Sequence, residues 1–343
     1  MRLRTAASLV GLTLLAASAV TGAAAQCPAG AIGTSRVVEI DTTGGPRFGH
    51  NQYPGPDFLN PGEIVLTFDD GPHKQLTPTI LDALDAHCAK ATFFMVGQRA
   101  MMYPAMVREV ARRGHTIATH TWSHRNQKEA GPDAGISEIE LGISAVQKAY
   151  GQAAAPFFRF PYLSDPAFAQ QHLRRRNTAM FSIDVDSYDF RTRSPSVVMR
   201  NVMNGLRSKG RGIILFHDIQ PSTAGALGAL LSDLKAQGHR VVHMVPRDAQ
   251  TTLADYDRRI GGQPLGSTSP ASLALSQRTV VSPAWEPRVV PRHTALPSAS
   301  LDPQPQTAAH RAAPPPVLRP AIEERPQRRP PAEDWRNAIF RGY

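Results

Sequence analysis

Five short clusters hold the residues best able to move protons or bind a metal ion. Two adjacent carboxylates, Asp69 and Asp70, follow Val65-Leu66-Thr67-Phe68 and lead into Gly71-Pro72. His120 and His124 stand four residues apart. On a helical turn that spacing puts two imidazoles on one face, about 6 Å apart, which suits one metal ion. Arg159 offers a fixed cation, Asp184, Asp186 and Asp189 offer further carboxylates, and His217-Asp218 sets an imidazole beside an acid. Two His and one carboxylate leave coordination positions open for water and substrate, the usual plan of a hydrolytic zinc site. One member of the 69–70 pair can then bind metal while the other faces the activated water as a base, because successive side chains diverge along a strand. Asp, Gly and Pro also form turns, so 69–72 reads equally as a polar turn by residue type. Turn chemistry does not explain a doubled acid directly after an apolar run.

The elements that must carry these residues alternate. Runs at 64–68, 92–96, 115–118, 157–160, 179–184, 213–216 and 240–244 read as strands, and periodicity predicts helices over 78–89, 98–113, 136–150, 165–176, 196–209 and 223–237. Seven strands with intervening helices mean parallel βα units, closed as a barrel or open as a doubly wound sheet. Neither G-x-G-x-x-G nor a Walker A motif follows the first strand, which argues against nucleotide binding. The candidate residues follow five of the seven strands at the same end, and in a parallel barrel that end is the face where active sites sit.

In order, Thr67-Phe68-Asp69-Asp70-Gly71-Pro72, His120-Thr121-Trp122-Ser123-His124, Arg159-Phe160-Pro161-Tyr162, Asp186-Ser187-Tyr188-Asp189-Phe190 and Leu215-Phe216-His217-Asp218 resemble the five motifs of the polysaccharide deacetylases, the NodB-homology enzymes of carbohydrate esterase family 4. The resemblance covers roughly residues 60–250. It implies an α/β fold, a distorted (β/α)7 barrel of parallel strands. It further implies a divalent metal, zinc foremost, and hydrolysis of N-acetyl or O-acetyl groups on glycans. Carried over residue by residue, Asp70, His120 and His124 would bind the metal. Asp69 would be the general base on the metal-bound water, kept ionised by Arg159. His217 would be the general acid for the departing amine, with Asp189 tuning its pKa. The backbone N–H of Tyr162 would stabilise the oxyanion, and Phe190 and Leu215 would line the acetyl pocket. Phe190 departs from the family pattern, which commonly has Trp there, so this chain keeps an apolar wall but loses indole area and an N–H donor. The substrates so implied are acetylated polysaccharides: peptidoglycan, poly-N-acetylglucosamine or chitin-type oligomers. Competing readings are an O-acetyl esterase on acetylated xylan and a glycan-binding pseudoenzyme. The intact set of ligands, base and acid weighs against the pseudoenzyme. His73, His87, His172, His239 and His243 read as structural or surface residues.

Composition frames the rest. The 343 residues carry 38 Lys+Arg against 28 Asp+Glu, a net charge of +10, and only 2 cysteines, which excludes a disulfide-stapled miniprotein and a multi-cysteine metal protein. Residues 1–25 read as a signal peptide: Arg2 and Arg4, an apolar run, then Ala23-Ala24-Ala25. Cleavage would leave no transmembrane segment and would send the protein to the periplasm or the medium. There Cys27 and Cys88 could form one disulfide or remain two thiols. Residues 26–60 read as an N-terminal extension and 61–255 as the catalytic domain. Residues 261–343 hold 15 of the 30 prolines and no lysine, and read as a disordered tail. The tail carries ten Arg and six acidic residues. An exported tail of that charge suits anionic cell-envelope polymers better than nucleic acid, for which no recognition motif is visible.

Overall fold

The computed structural model describes residues 27–55, 57–261 and 278–281. These belong to the first of two compact units, Met1–Glu286. The expected signal peptide, nearly all of the expected tail and the second unit, Pro287–Tyr343, lie outside the described residues. The strands are β1 (Thr34–Ile40), β2 (Arg47–Phe48), β3 (Glu63–Asp69), β4 (Thr92–Met95), β5 (Thr116–Thr119), β6 (Phe157–Phe158), β7 (Ala179–Phe181), β8 (Val185–Asp186), β9 (Gly212–His217), β10 (Arg240–Pro246) and β11 (Arg278–Val281). The helices are α1 (Leu76–Ala86), α2 (Gly97–Met102), α3 (Pro104–Arg112), α4 (Gln127–Ala130), α5 (Pro132–Tyr150), α6 (Ala167–Arg175), α7 (Pro195–Lys209), α8 (Pro221–Ala236) and α9 (Ala254–Arg259). Among the described residues, none of these helices is long and apolar enough to cross a membrane.

Every pairing among these strands is parallel, as βα alternation requires. Pairings run β8–β9–β3–β4–β5–β6–β7; the strand predicted over 179–184 ends at Phe181 as β7, and after a break at 182–184 the chain continues as the unpredicted β8. The ring is therefore closed by an interrupted strand, and this is the form its distortion takes. β10, the seventh predicted strand, pairs with only Glu63 and Ile64 at the base of β3 and then with β1, so it branches from the ring.

Residues 26–60 contribute two strands to this sheet, β1 beside β10 and β2 beside β7. Cys27 and Cys88 form a disulfide, Cα–Cα 5.9 Å, which fastens that segment to the turn after α1. The expected structureless tail is corrected at one place: Arg278–Val281 pairs with Val37–Ile40 of β1. Thr279-Val280-Val281 is a β-branched run, and β1 offers it an edge. The helix predicted over 98–113 is two helices, because Pro104 brings no N–H to a continuing ladder and instead opens α3 at its first turn.

Strand alternation decides what faces where. On β3, Ile64, Leu66 and Phe68 pack with Leu81 and Leu84 of α1 and Leu230 of α8, while Val65 joins a cluster built of strand and loop residues alone. That second cluster, with Phe94, Ala118, Phe157, Phe181 and Ile213, fills the barrel interior. Two residues further along the inward column of each strand stand Thr67 and then Asp69 on β3, His120 after β5, Arg159 after β6, and Leu215 and then His217 on β9. The inward side of the barrel is thus apolar below and polar at the mouth.

Candidate active site and metal centre

At the floor of the mouth lies Arg159, fully buried over the Phe94 ring at 4.3 Å. Its Nη1 donates to Thr67 Oγ1 at 2.7 Å and to Asp69 Oδ1 at 2.8 Å, and its Nη2 to the Ser182 carbonyl at 3.1 Å. The guanidinium therefore satisfies a backbone acceptor in the break between β7 and β8 while holding one oxygen of Asp69. Burial pushes Arg159 below its ordinary pKa, and the Asp69 carboxylate opposes that push. The second oxygen of Asp69, Oδ2, faces His120 Nε2 at 3.9 Å.

Asp70, His120 and His124 converge, each offering one ligand atom, all within 4.8 Å of one another. Asp70 Oδ1 lies 3.4 Å from His120 Nε2 and 3.0 Å from His124 Nε2. Burial would raise the Asp70 carboxyl, but His124, His120 and His217 around it hold it well below the usual carboxylate range. Helical geometry does not produce this convergence, contrary to the i, i+4 expectation. Residues 120–124 form an irregular loop with Thr121 and His124 at φ 65 and 61, which brings the two rings to 5.0 Å. Glu138 of α5 clamps the loop, its carboxylate accepting from Ser123 N and Oγ at 2.8 Å each and its carbonyl from Trp122 N.

The donor set fits a divalent cation. His120 Nδ1 sits 2.7 Å from the Arg159 carbonyl, which can only accept, so Nδ1 carries a hydrogen and Nε2 is the ring atom turned toward Asp70. Asp70 Oδ1 is buried with no hydrogen-bond donor satisfying it. A carboxylate oxygen so placed, with the Nε2 atoms of two imidazoles beside it, is an arrangement that a cation balances, and one carboxylate with two imidazoles suits zinc.

On the opposite side of Asp70, His217 Nε2 approaches Oδ2 at 3.9 Å. His217 Nδ1 is held at 2.7 Å by Oδ1 of the fully buried Asp189. The other Asp189 oxygen accepts from His217 N and Thr223 Oγ1. Burial pushes the His217 imidazole down, but Asp189, then Asp70 and Asp69, push it up to about 10. Phe190 stands edge-to-face on His217 at 5.6 Å and is 48% exposed, whereas Leu215 is buried in β9 opposite Thr67 and Asp186. Tyr162 adopts φ 59, and its hydroxyl reaches His124 Nδ1 at 3.0 Å. Of the eight non-glycine residues with positive φ among the described residues, six belong here: Asp70, Thr121, His124, Tyr162, Leu163 and Tyr188. Such conformations persist only where surrounding contacts over-determine them, and they gather at functional sites.

A family model described as polysaccharide deacetylase matches residues 59–179. The peptidoglycan-N-acetylglucosamine deacetylase PgdA of Listeria monocytogenes serotype 1/2a is 32% identical over 182 residues, which are 52% of this chain and 37% of that one. The chitooligosaccharide deacetylase of Azorhizobium caulinodans is 34% identical over 174 residues, 49% of this chain and 79% of that one. The chain belongs to the polysaccharide deacetylase family. A Bdellovibrio bacteriovorus peptidoglycan deacetylase of solved structure shares the fold at TM-score 0.55 and 32% identity, over 62% of this chain and 59% of that one. The chain spans well under half the length of the Listeria relative and about three-fifths of the Bdellovibrio one.

Within this polysaccharide deacetylase domain, sequence reasoning named Asp218 without giving it a role and did not name Glu138, Gly142 or Thr223. Asp218 is fully buried, accepts from Thr77 Oγ1 at 2.6 Å, and donates its own N–H to the Asp69 carbonyl. Burial raises its carboxyl to about 7. It lies so close under the Asp-Asp turn that a Cβ on Gly71 would sit 2.1 Å from both its oxygens, so only glycine fits there. Gly142 does the same for the histidine loop, since a Cβ would lie 2.5 Å from the Thr121 backbone. A glycine in mid-helix, normally costing about 1 kcal/mol, was the available signal.

Proposed function

We propose that this protein removes N-acetyl groups from glycans containing N-acetylglucosamine. The observation that carries the reading is the pair of buried ionic couples flanking Asp70, Arg159–Asp69 on one side and Asp189–His217 on the other. Each couple spends one atom on its partner and turns a second toward the Asp70–His120–His124 cluster, Asp69 Oδ2 toward His120 and His217 Nε2 toward Asp70. Asp70, His120 and His124 would hold a divalent ion, zinc by donor type, which when bound supplies Lewis acidity toward the water and the acetamide carbonyl. Asp69 takes the proton of the attacking water through Oδ2, and Arg159 keeps that carboxylate aimed by holding its other oxygen. The Tyr162 N–H donates to the carbonyl oxygen as it gains charge. As the C–N bond breaks, His217 Nε2 gives its proton to the leaving amine. Asp189 favours the imidazolium that this step needs. Acetate and a free amino sugar are the products.

The relatives named for peptidoglycan and for chitooligosaccharide support an N-acetylated substrate. Export fits the same reading: residues 1–25 have the signal pattern, and the Cys27–Cys88 disulfide suits an oxidising compartment. Tail contact with anionic envelope polymers is part of the proposal, and tail deletion should weaken such binding at low salt. The decisive experiment measures acetate released by the purified protein from N-acetylglucosamine oligomers, peptidoglycan and acetylated xylan, with chelator and after zinc is restored. Chelator-sensitive release from the first two is expected. Release from xylan alone would make it an O-acetyl esterase. Bound metal without release from any glycan would make it a non-catalytic binder.

A further inference from the structure

Beside the acid arm, the short turn Asp189–Arg191 and the preceding Tyr188 carry two exposed side chains, Tyr188 and Arg191, to which the deacetylation steps give no role. Tyr188 and Phe190 are 42% and 48% exposed, and their ring centroids lie 6.4 Å apart. The Arg191 guanidinium lies 5.0 Å from the Tyr188 centroid and 5.2 Å from that of Phe190. Arg191 is exposed, and among the described residues no carboxylate comes within ion-pair distance of it. Its charge reaches Asp186, whose carboxyl is nonetheless raised by burial and whose Oδ1 is taken by the Tyr188 N–H at 2.8 Å. The Phe190 ring also touches His217, so this cation stands one ring away from the point where the amine departs.

Two exposed aromatic faces with a shared guanidinium are poor company for bulk water alone. Aromatic faces accept the C–H surface of sugars, while a planar guanidinium held over rings is pre-aimed for a carboxylate. Resting on the deacetylase reading, we infer that Tyr188, Phe190 and Arg191 form a subsite for a carboxylate on the sugar adjoining the one deacetylated. The substrate class so selected is a glycan whose alternate sugars carry a lactyl ether acid, in preference to a neutral homopolymer of N-acetylglucosamine. Arg191 is a specificity-determining residue here, with no part in bond cleavage.

The test compares the zinc-loaded protein with Arg191→Gln and Arg191→Lys on three soluble substrates: lactyl-bearing strands freed of peptide, strands with the lactyl group amidated by peptide, and N-acetylglucosamine oligomers. Acetate release and calorimetric binding are measured at low and high salt. The wild type should favour the free-acid strands, and Arg191→Gln should raise KM on them about five-fold at unchanged kcat while altering the neutral oligomers less than two-fold. Arg191→Lys should keep at least half of the preference, and high salt should erase it. A preference for the amidated strands would assign the anion to the peptide's own carboxylates and overturn the lactyl assignment. Equal losses on charged and neutral substrates, or none, would overturn the subsite. If no substrate releases acetate, the deacetylase reading fails, yet salt-sensitive binding of acidic strands lost in Arg191→Gln would still identify the subsite.

Discussion

The barrel interior and its mouth are lined by the same inward columns of the same strands, yet they solve opposite problems. Below, Val65, Phe94, Phe157, Phe181 and Ile213 fill space with aromatic and aliphatic volume. Two to four residues higher, the columns deliver Asp69, Arg159 and His217, none of which could be buried alone. Alternation sets the direction of a side chain, and height along the strand sets its chemistry. The mouth tolerates buried charge only as couples, each sharing hydrogen bonds with backbone.

Arg159 belongs to both layers and should show the largest effect when changed. Arg159→Met leaves Asp69 buried without its partner and the break between β7 and β8 unfilled. It should cost about 3–5 kcal/mol of stability together with most activity. Phe157→Ala, one layer down, should cost a similar 3–5 kcal/mol while the folded fraction keeps its kcat. Denaturant melts paired with active-site titration separate the two. If folded Phe157→Ala were as inactive as Arg159→Met, the layers would not be functionally distinct.

The acid arm comes next. His217→Ala should reduce amide hydrolysis about 10²–10⁴-fold and acetate-ester hydrolysis much less, because an alkoxide leaves more readily than an amine. An unchanged amide-to-ester ratio would remove His217 from the proton path. A subtler effect follows from Asp189. Activity requires the protonated imidazole, so it should fall as pH rises through about 10. Asp189→Asn removes the main influence opposing burial, and the alkaline limb of kcat/KM should move to lower pH by about one unit or more.

The smallest effect belongs to the base of the barrel. Burial pushes His115 down to about 3, and His243, bonded to Thr116 Oγ1 at 2.9 Å, down to about 4. Both are neutral in the folded chain, whereas unfolded histidine takes a proton near pH 6.5. Their contribution is therefore full above about pH 6.5 and is lost as pH falls toward 4 and 3. Tm should decline between pH 7 and pH 5, and His243→Gln should flatten that decline.

Much of this site was legible from sequence because its residues terminate strands, and strand ends are marked by short apolar runs. Asp69, His120, Arg159 and His217 are each the next inward step after such a run. The supporting residues were not legible for a different reason. Glu138 and Thr223 act across distances in sequence that only packing closes, and each looks like an ordinary surface or cap residue in isolation, while Asp218, visible beside His217, gives no sign in sequence of its contact with Thr77. β1 and β2 escaped because they add to the sheet from a segment preceding the βα pattern. The loop at 120–124 mimics helical spacing, and nothing short of its positive φ values distinguishes the two.

The Arg159 contact with the Ser182 carbonyl makes one guanidinium both the seam of the scaffold and the clamp on the base. A fluctuation that parts the seam withdraws the cation from Asp69 in the same motion. Loosening at this seam and loss of the aimed base would thus be a single event.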